Sequence, residues 1–459
     1  MSDGNAQLPK VYSFHHYLSL SIGYALGLGW VIIPARMLIK GGPIGVFLAI
    51  IFSAILFYFI AKCYAELVCA KPAAGGETVI AERSFGKGVG FSVFWFLCLG
   101  YIAYGPFYAS FSGVIFESLI PNLQSDTLFT IEGHGQRLSY ILPGLVLASL
   151  VVLTNFKSTK AAANLQSISL LILIICVSIA VITGFIKGNL SNLQPYFEGS
   201  GTALDITSVV IIVMSMICWY LFGFSTIAQT AEEAGPDMKP GDLGKAIVLS
   251  LGLATLFYAA VHLYVPYTMP WRASTELGMP TADVLNATYG YAWAHKLVLI
   301  GGFMGIITTL NACMICATRL MLAATRAGYM PKWFGVIDKK SETLKSAVKF
   351  VGFFMIIGPF LSLGWTSSNM GPISFVLASI ITCFAALKMR KSHPDMARPY
   401  KIKNTLTIYC GIFVSLTLFG SMLVPGSYEY IVWPERHVFI AIWAALGFLF
   451  YKWQISIHK

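Results

Sequence analysis

The chain has 459 residues, of which 57% are apolar and only 11% charged, with a net charge of +11. A soluble globular chain is nearer half apolar and a quarter charged, so a water-soluble enzyme of this length is excluded. The mean hydropathy of +0.73 instead fits a chain that buries its surface in hydrocarbon.

The apolar runs are long and continuous rather than alternating, which selects helices over a β-barrel as the spanning elements. The opening stretch, MSDGNAQLPK, is polar, and the first apolar run starts near Tyr17. No cleavable signal peptide is expected from this pattern. In chain order, spans are predicted at 15–39, 43–69, 88–118, 138–156, 163–186, 206–233, 244–268, 296–325, 346–365, 369–389, 403–424 and 436–456. Of the 31 Lys and Arg residues, 24 fall in one set of alternating loops and seven in the other. Positive charge collects on the cytoplasmic side of membrane proteins, so both termini are placed inside. The same distribution makes the net charge a feature of topology and not of nucleic-acid binding.

Nine cysteines are present. Eight lie within apolar runs and Cys69 ends one, so no disulfide framework is expected. The Cys313-Met-Ile-Cys316 spacing reads as small packing surface in an apolar helix rather than a metal or redox site. No metal and no cofactor is expected.

Two spans carry interruptions. In span 1, Gly23, Gly27 and Gly29 fall within seven residues, and Pro34 follows. Each glycine weakens a helix by about 1 kcal/mol relative to Ala; close helix packing is the alternative use. Span 6 has Phe222-Gly223-Phe-Ser225 at mid-membrane and turns polar before Glu232 and Glu233. Spans 1 and 6 are corresponding members of two five-span halves, and a matched pair of broken helices points to an inverted-repeat transporter. Irregular backbone at that depth is tolerated where it lines a cavity. Free N–H groups at the start of a half-helix can hold a carboxylate, and free carbonyls at the end of another can accept from an ammonium group.

Ionisable residues deep in the spans are scarce. Glu66, Glu117, Asp205, Glu232 and Glu233 fall near span ends, and Lys62 and Arg319 lie toward the inner side. His262 in span 7 is the main exception, read either as a proton-coupling or gating residue or as a packed, hydrogen-bonded one.

Five short motifs, in order, resemble the amino acid–polyamine–organocation superfamily, including bacterial amino acid permeases and amino acid/amine antiporters. They are Gly27 to Pro34; Tyr64-Ala-Glu66 with Lys71 to Glu77; Ala231-Glu232-Glu233 with Pro236 and Pro240; Thr318-Arg319 with Arg326 to Pro331; and Arg398-Pro399-Tyr400-Lys401. The resemblance implies an all-α integral membrane protein of about twelve transmembrane helices. Residues 15–186 and 206–389 would form a five-plus-five inverted repeat, and 403–456 two additional helices, within one transporter domain spanning 1–459. It further implies that Gly27, Leu28 and Gly29 hold a substrate carboxylate through backbone, with Gly23, Tyr24 and Ala25 at the turn before. Trp219 would cover the substrate as a gate, with bilayer packing as its rival reading. Phe222 and Gly223 would present backbone to an amine, and Thr309 and Asn311 match pocket positions or simply bond helix to helix. Glu232, His262 and Trp219 are the coupling or gating candidates. Tyr101, Tyr104 and Tyr108 follow helical spacing on span 3; packing is the first reading and pocket lining the second.

One departure stands out. Several proton-coupled relatives carry a lysine in span 5, whereas here the segment after Gln166 has none, and Leu173 falls near the expected position. Solute exchange gains weight from this, proton coupling is not removed, and sodium coupling stays open because Thr308 and Thr309 could supply oxygens. The expected function is secondary active transport of amino acids by alternating access. Neutral or zwitterionic substrates are expected, because no deep carboxylate is evident to pair with a second cationic group. An amine, ethanolamine or polyamine carrier is the alternative, and a membrane sensor or channel the other class. The expected partners are a small amino acid or amine and the lipid bilayer of a bacterial inner membrane, with no nucleic acid, in a monomer or homodimer.

Overall fold

The computed structural model describes residues 7–120, 122, 125–131, 134–199, 202–217, 220–361, 370–425, 427 and 429–457. All twelve predicted segments contain helix. Among the described residues, eight helices are long and apolar enough to cross a membrane, so the chain is a multi-pass membrane protein.

Span 1 is built from three pieces: α1 (Phe14–Ala25), α2 (Gly29–Ile32) and the first turns of α3 (Pro34–Ala70). Within α3 two helices meet at Gly42 (φ +64°, ψ 171°), inside the predicted gap between spans 1 and 2, and the second of them is span 2. Pro43 follows directly, and it disfavours the α conformation in the residue before it. The ring of Phe197 and the backbone of Phe197–Glu198 sit against Gly42 and Gly45, so a Cβ at 42 would be both strained and crowded.

The other spans are α5 (Lys87–Leu119), α6 (Leu138–Lys157), α7 (Thr159–Lys187), α8 (Ala203–Ile217), α10 (Asp242–Thr268), α13 (Ala292–Arg326), α14 (Lys345–Leu361), α15 (Met370–Ser392), α16 (Leu406–Ser421) and α17 (Glu435–Ile457). Span 6 continues beyond α8 as a 3-10 turn at Phe222–Phe224, α9 (Ser225–Thr230) and a second 3-10 turn at Ala231–Glu233. Elements between the spans went unpredicted: α4 (Gly76–Phe85), α11 (Trp271–Ser274), α12 (Pro280–Tyr289) and a short antiparallel hairpin, β1 (Thr127–Ile131) with β2 (His134–Arg137). They are too short or too polar to carry the 20-residue apolar signature on which span reading depends.

α13 is the axis of the molecule. Nearly every residue from Gly305 to Ala324 is buried, and it packs against α5, α7 and α1. α10 lies along α3 and closes over α1. By contrast, α7 turns Ile168, Leu171, Ile175, Ile179, Ile182 and Ile186 outward. An exposed aliphatic stripe at helical spacing is what a hydrocarbon solvent stabilises and water does not. α17 attaches at the edge, where Trp443 stacks on Trp95 of α5 at 4.6 Å.

Candidate functional site

The helix of span 1 ends at Ala25 because Leu26 leaves the helical region (φ −86°, ψ 45°), although its N–H still donates to Ile22 at 2.8 Å. Gly27 and Leu28 bridge to α2. Among the described residues, the amides of Gly27, Leu28 and Gly29 donate to no backbone carbonyl. The carbonyls freed on the other side of the break are met by side chains. The Tyr258 hydroxyl donates to Ala25 at 2.6 Å, and the Thr308 hydroxyl to Gly23 at 2.8 Å. Such partners let an interrupted helix persist inside a membrane.

A cavity of about 170 Å³ opens beside this break, room for roughly ten waters. Span 1 supplies Tyr24, Ala25, Gly27, Leu28 and Gly29, and span 6 supplies Tyr220 and Phe222. Thr309 of α13, Tyr104 and Tyr108 of α5, Tyr258 of α10 and Phe375 of α15 also line it. The cavity runs from the break to the exposed Arg36 and reaches Glu429 in the segment before α17. Half of the lining is aromatic. Phe375 stands 6.0 Å from Tyr24 and 6.1 Å from both Tyr104 and Phe222, forming one ring cluster.

Tyr108 explains why residue 27 is glycine. Its hydroxyl lies against the Leu28 backbone and the Thr309 side chain. A Cβ on Gly27 would fall 2.7 Å from Cζ and 2.8 Å from Cε1 of Tyr108, closer than real Cβ contacts come.

The face that carries the termini is closed by polar clasps. Arg319 holds Glu233 through two hydrogen bonds in a buried pair. Arg326 holds Glu232, whose carboxylate also accepts from the amides of Leu8 at 3.3 Å and Ala74 at 3.2 Å. Tyr17 donates to the Thr230 carbonyl at 2.9 Å, and Tyr12 and Ala234 form a parallel bridge. At a neighbouring corner, Arg390 chelates Glu66, which also accepts from the Ile402 amide at 2.7 Å.

The predicted site residues distribute unevenly. Tyr24, Ala25, Gly27, Leu28, Gly29, Phe222 and Thr309 line the cavity. Gly23 instead faces Gln166 and Thr308, and Gly223 packs on the Ser21 carbonyl and Ala25. Asn311 binds Asn155 at 2.7 Å, the Ala162 carbonyl at 3.0 Å and Gln166 at 2.8 Å, joining α13 to α6 and α7. His262 is buried one turn beyond Tyr258, with Nδ1 2.9 Å from the Tyr258 carbonyl and, among the described residues, Nε2 without a partner. Glu232 belongs to the clasp described above. Trp219 lies outside the described residues. Thr308 and Thr309 both turn their hydroxyls back to the Gly305 carbonyl. From α7, Gln166 reaches span 1 with its Nε2 3.3 Å from the Ser19 carbonyl, two turns before Leu173.

The family model for amino acid permeases matches residues 12–446. The chain belongs to that family. A branched-chain amino acid permease of Bacillus subtilis is 25% identical over 95% of both chains. A methylthioribose transporter of the same organism is 22% identical over 98% of this chain and 95% of its own. A chloroplastic cationic amino acid transporter of Arabidopsis thaliana is 24% identical over 76% of this chain and 60% of its own length. The permease is therefore a carrier of amino acids rather than an enzyme, and its small-molecule partner is an amino acid.

Sequence reasoning missed Tyr220, Tyr258, Phe375 and Glu429 of the cavity wall. For Tyr104 and Tyr108 it is the second reading, pocket lining, that the cavity matches, because spacing alone does not say which way a stripe faces. Glu429 was hidden in a loop between two helices read as peripheral. Burial holds its carboxyl well above the usual carboxylate range.

Proposed function

We propose that the permease carries α-amino acids by alternating access, with the head group held where spans 1 and 6 are broken. The observation that carries this reading is the cavity wall formed by Gly27, Leu28 and Gly29 together with Phe222. Amides there that donate to no backbone carbonyl can hold a carboxylate, and the reading assigns the amine to the backbone around Phe222. Residues 15–186 and 206–389 are taken as the two inverted halves, and 403–456 as the additional pair. We place the permease in a bacterial inner membrane with both termini cytoplasmic. The cavity then faces outward, while the Arg319–Glu233 and Arg326–Glu232 clasps close the cytoplasmic side. Gating falls to Trp219 and Glu232 in this scheme, and His262, behind Tyr258, is a coupling candidate.

Gln166 occupies the contact between span 5 and span 1 as a neutral amide, which favours exchange of one solute for another over lysine-dependent proton coupling. Only a difference in affinity between the two states can drive such exchange. The test is proteoliposome flux of a panel of amino acids, with and without internal solute and with and without a pH gradient. Uptake that ignores internal solute but follows the pH gradient would overturn the exchange reading. Absence of binding by any amino acid would overturn the site.

A further inference from the structure

Among the described residues, Glu429 is the only acidic one lining the cavity, and it comes from the segment that joins α16 to α17. It is 6% exposed, and among the described residues its Oε2 meets no hydrogen-bond partner. Buried polar atoms are almost always paired in native structures, so an oxygen held unpaired beside a cavity points to a partner that arrives from outside. Tyr104 lies within electrostatic reach of this carboxyl and belongs to the ring cluster with Tyr24, Phe222 and Phe375. The faces of aromatic rings attract cations, most strongly where water is excluded.

Two cations bear on the site. Arg36 also lines the cavity but is exposed, so water and salt screen it. Arg436 is near enough to act on Glu429, and its Nη1 donates to the Tyr430 carbonyl at 2.8 Å. Neither leaves Oε2 satisfied. The sequence-based expectation of a neutral solute rested on the absence of a carboxylate near the site, and Glu429 removes that ground.

We propose that Glu429 is a specificity-determining residue that receives the cationic side-chain end of a basic α-amino acid whose head group sits at the span-1 break. The proposal rests on the head-group site proposed above. It gives the loop between the last two helices a part in substrate choice. The carboxyl and the ring cluster together form a polarised far wall, while the break supplies a head-group clamp common to all α-amino acids.

Equilibrium binding to the purified full-length permease tests this, with L-lysine compared against L-norleucine, which has the same carbon chain without the amine. Lysine should bind at least about tenfold more tightly than norleucine, and Glu429→Gln should reduce that preference at least about tenfold. Equal affinities in the wild type, or an unchanged preference in Glu429→Gln, would overturn the role of Glu429. The wild-type comparison decides even if the variant fails to fold, and arginine against citrulline repeats it with the other basic side chain. Norleucine binding without a preference for lysine leaves the head-group site standing and removes only Glu429; binding of neither solute removes both.

Discussion

Arg319 grips Glu233 with Nε 2.8 Å from one carboxylate oxygen and Nη2 2.7 Å from the other. Both side chains are withdrawn from solvent, and the pair ties α13 to the end of span 6 next to the N-terminal segment. Removing one member leaves an uncompensated buried charge, which costs about 3–5 kcal/mol. Arg319→Met and Glu233→Gln should each lower the melting temperature of the detergent-purified permease sharply. The double variant should lose less than the sum of the two. Additive losses in this double-mutant cycle would show that the pair is not coupled.

Gly27 faces Tyr108 across the break. Gly27→Ala should weaken amino acid binding by about tenfold or more, since the new methyl group pushes the ring into the cavity. Tyr108→Phe removes the hydroxyl that comes closest, so Gly27→Ala with Tyr108→Phe should bind better than Gly27→Ala alone. Titration of the three variants beside the wild type checks the order.

Glu232 gathers Arg326 and the amides of Leu8 and Ala74 onto one carboxylate. Glu232→Gln keeps the shape but loses the charge assistance. Hydrogen–deuterium exchange should then accelerate around residues 8–12 and 71–78, while exchange in α13 stays slow. Unchanged protection in both segments would argue that the clasp holds nothing.

Glu77, on the membrane-flanking helix α4, accepts a hydrogen bond from Gln229. Burial pushes its carboxyl up to about 8. Folding therefore favours the protonated form. The stability gained is fully present below the ordinary carboxylate range and is lost as pH rises through about 8. Glu77→Gln should lack this component, so its stability relative to the wild type should rise between pH 5 and pH 8. The span of that change is at most about 5 kcal/mol. Thermal melts of the two proteins across this range provide the measurement.

The two helix breaks were legible because glycine and a premature polar run contradict the demands of a spanning helix, and both features are local. The helical spans were legible for the same reason: apolar length is a one-dimensional property. Asn311 shows where this ends. A polar side chain inside a span must bond to something, but only the fold reveals that its partners are Asn155 and Gln166 rather than solute. Glu429 marks the opposite case. Nothing in a Tyr-Glu-Tyr stretch between α16 and α17 says that the chain returns over the cavity mouth. The short helices α4 and α12 escaped notice because they are stabilised by docking on their neighbours, not by an apolar run of their own.

Gly42 is the one non-helical residue between the last turns of span 1 and the whole of span 2. The wall of the cavity near Arg36 and the corner held by Glu66 therefore lie on two helices whose mutual angle is set at a single pair of backbone dihedrals. The Phe197–Glu198 backbone packed against that residue is the chock that fixes the angle.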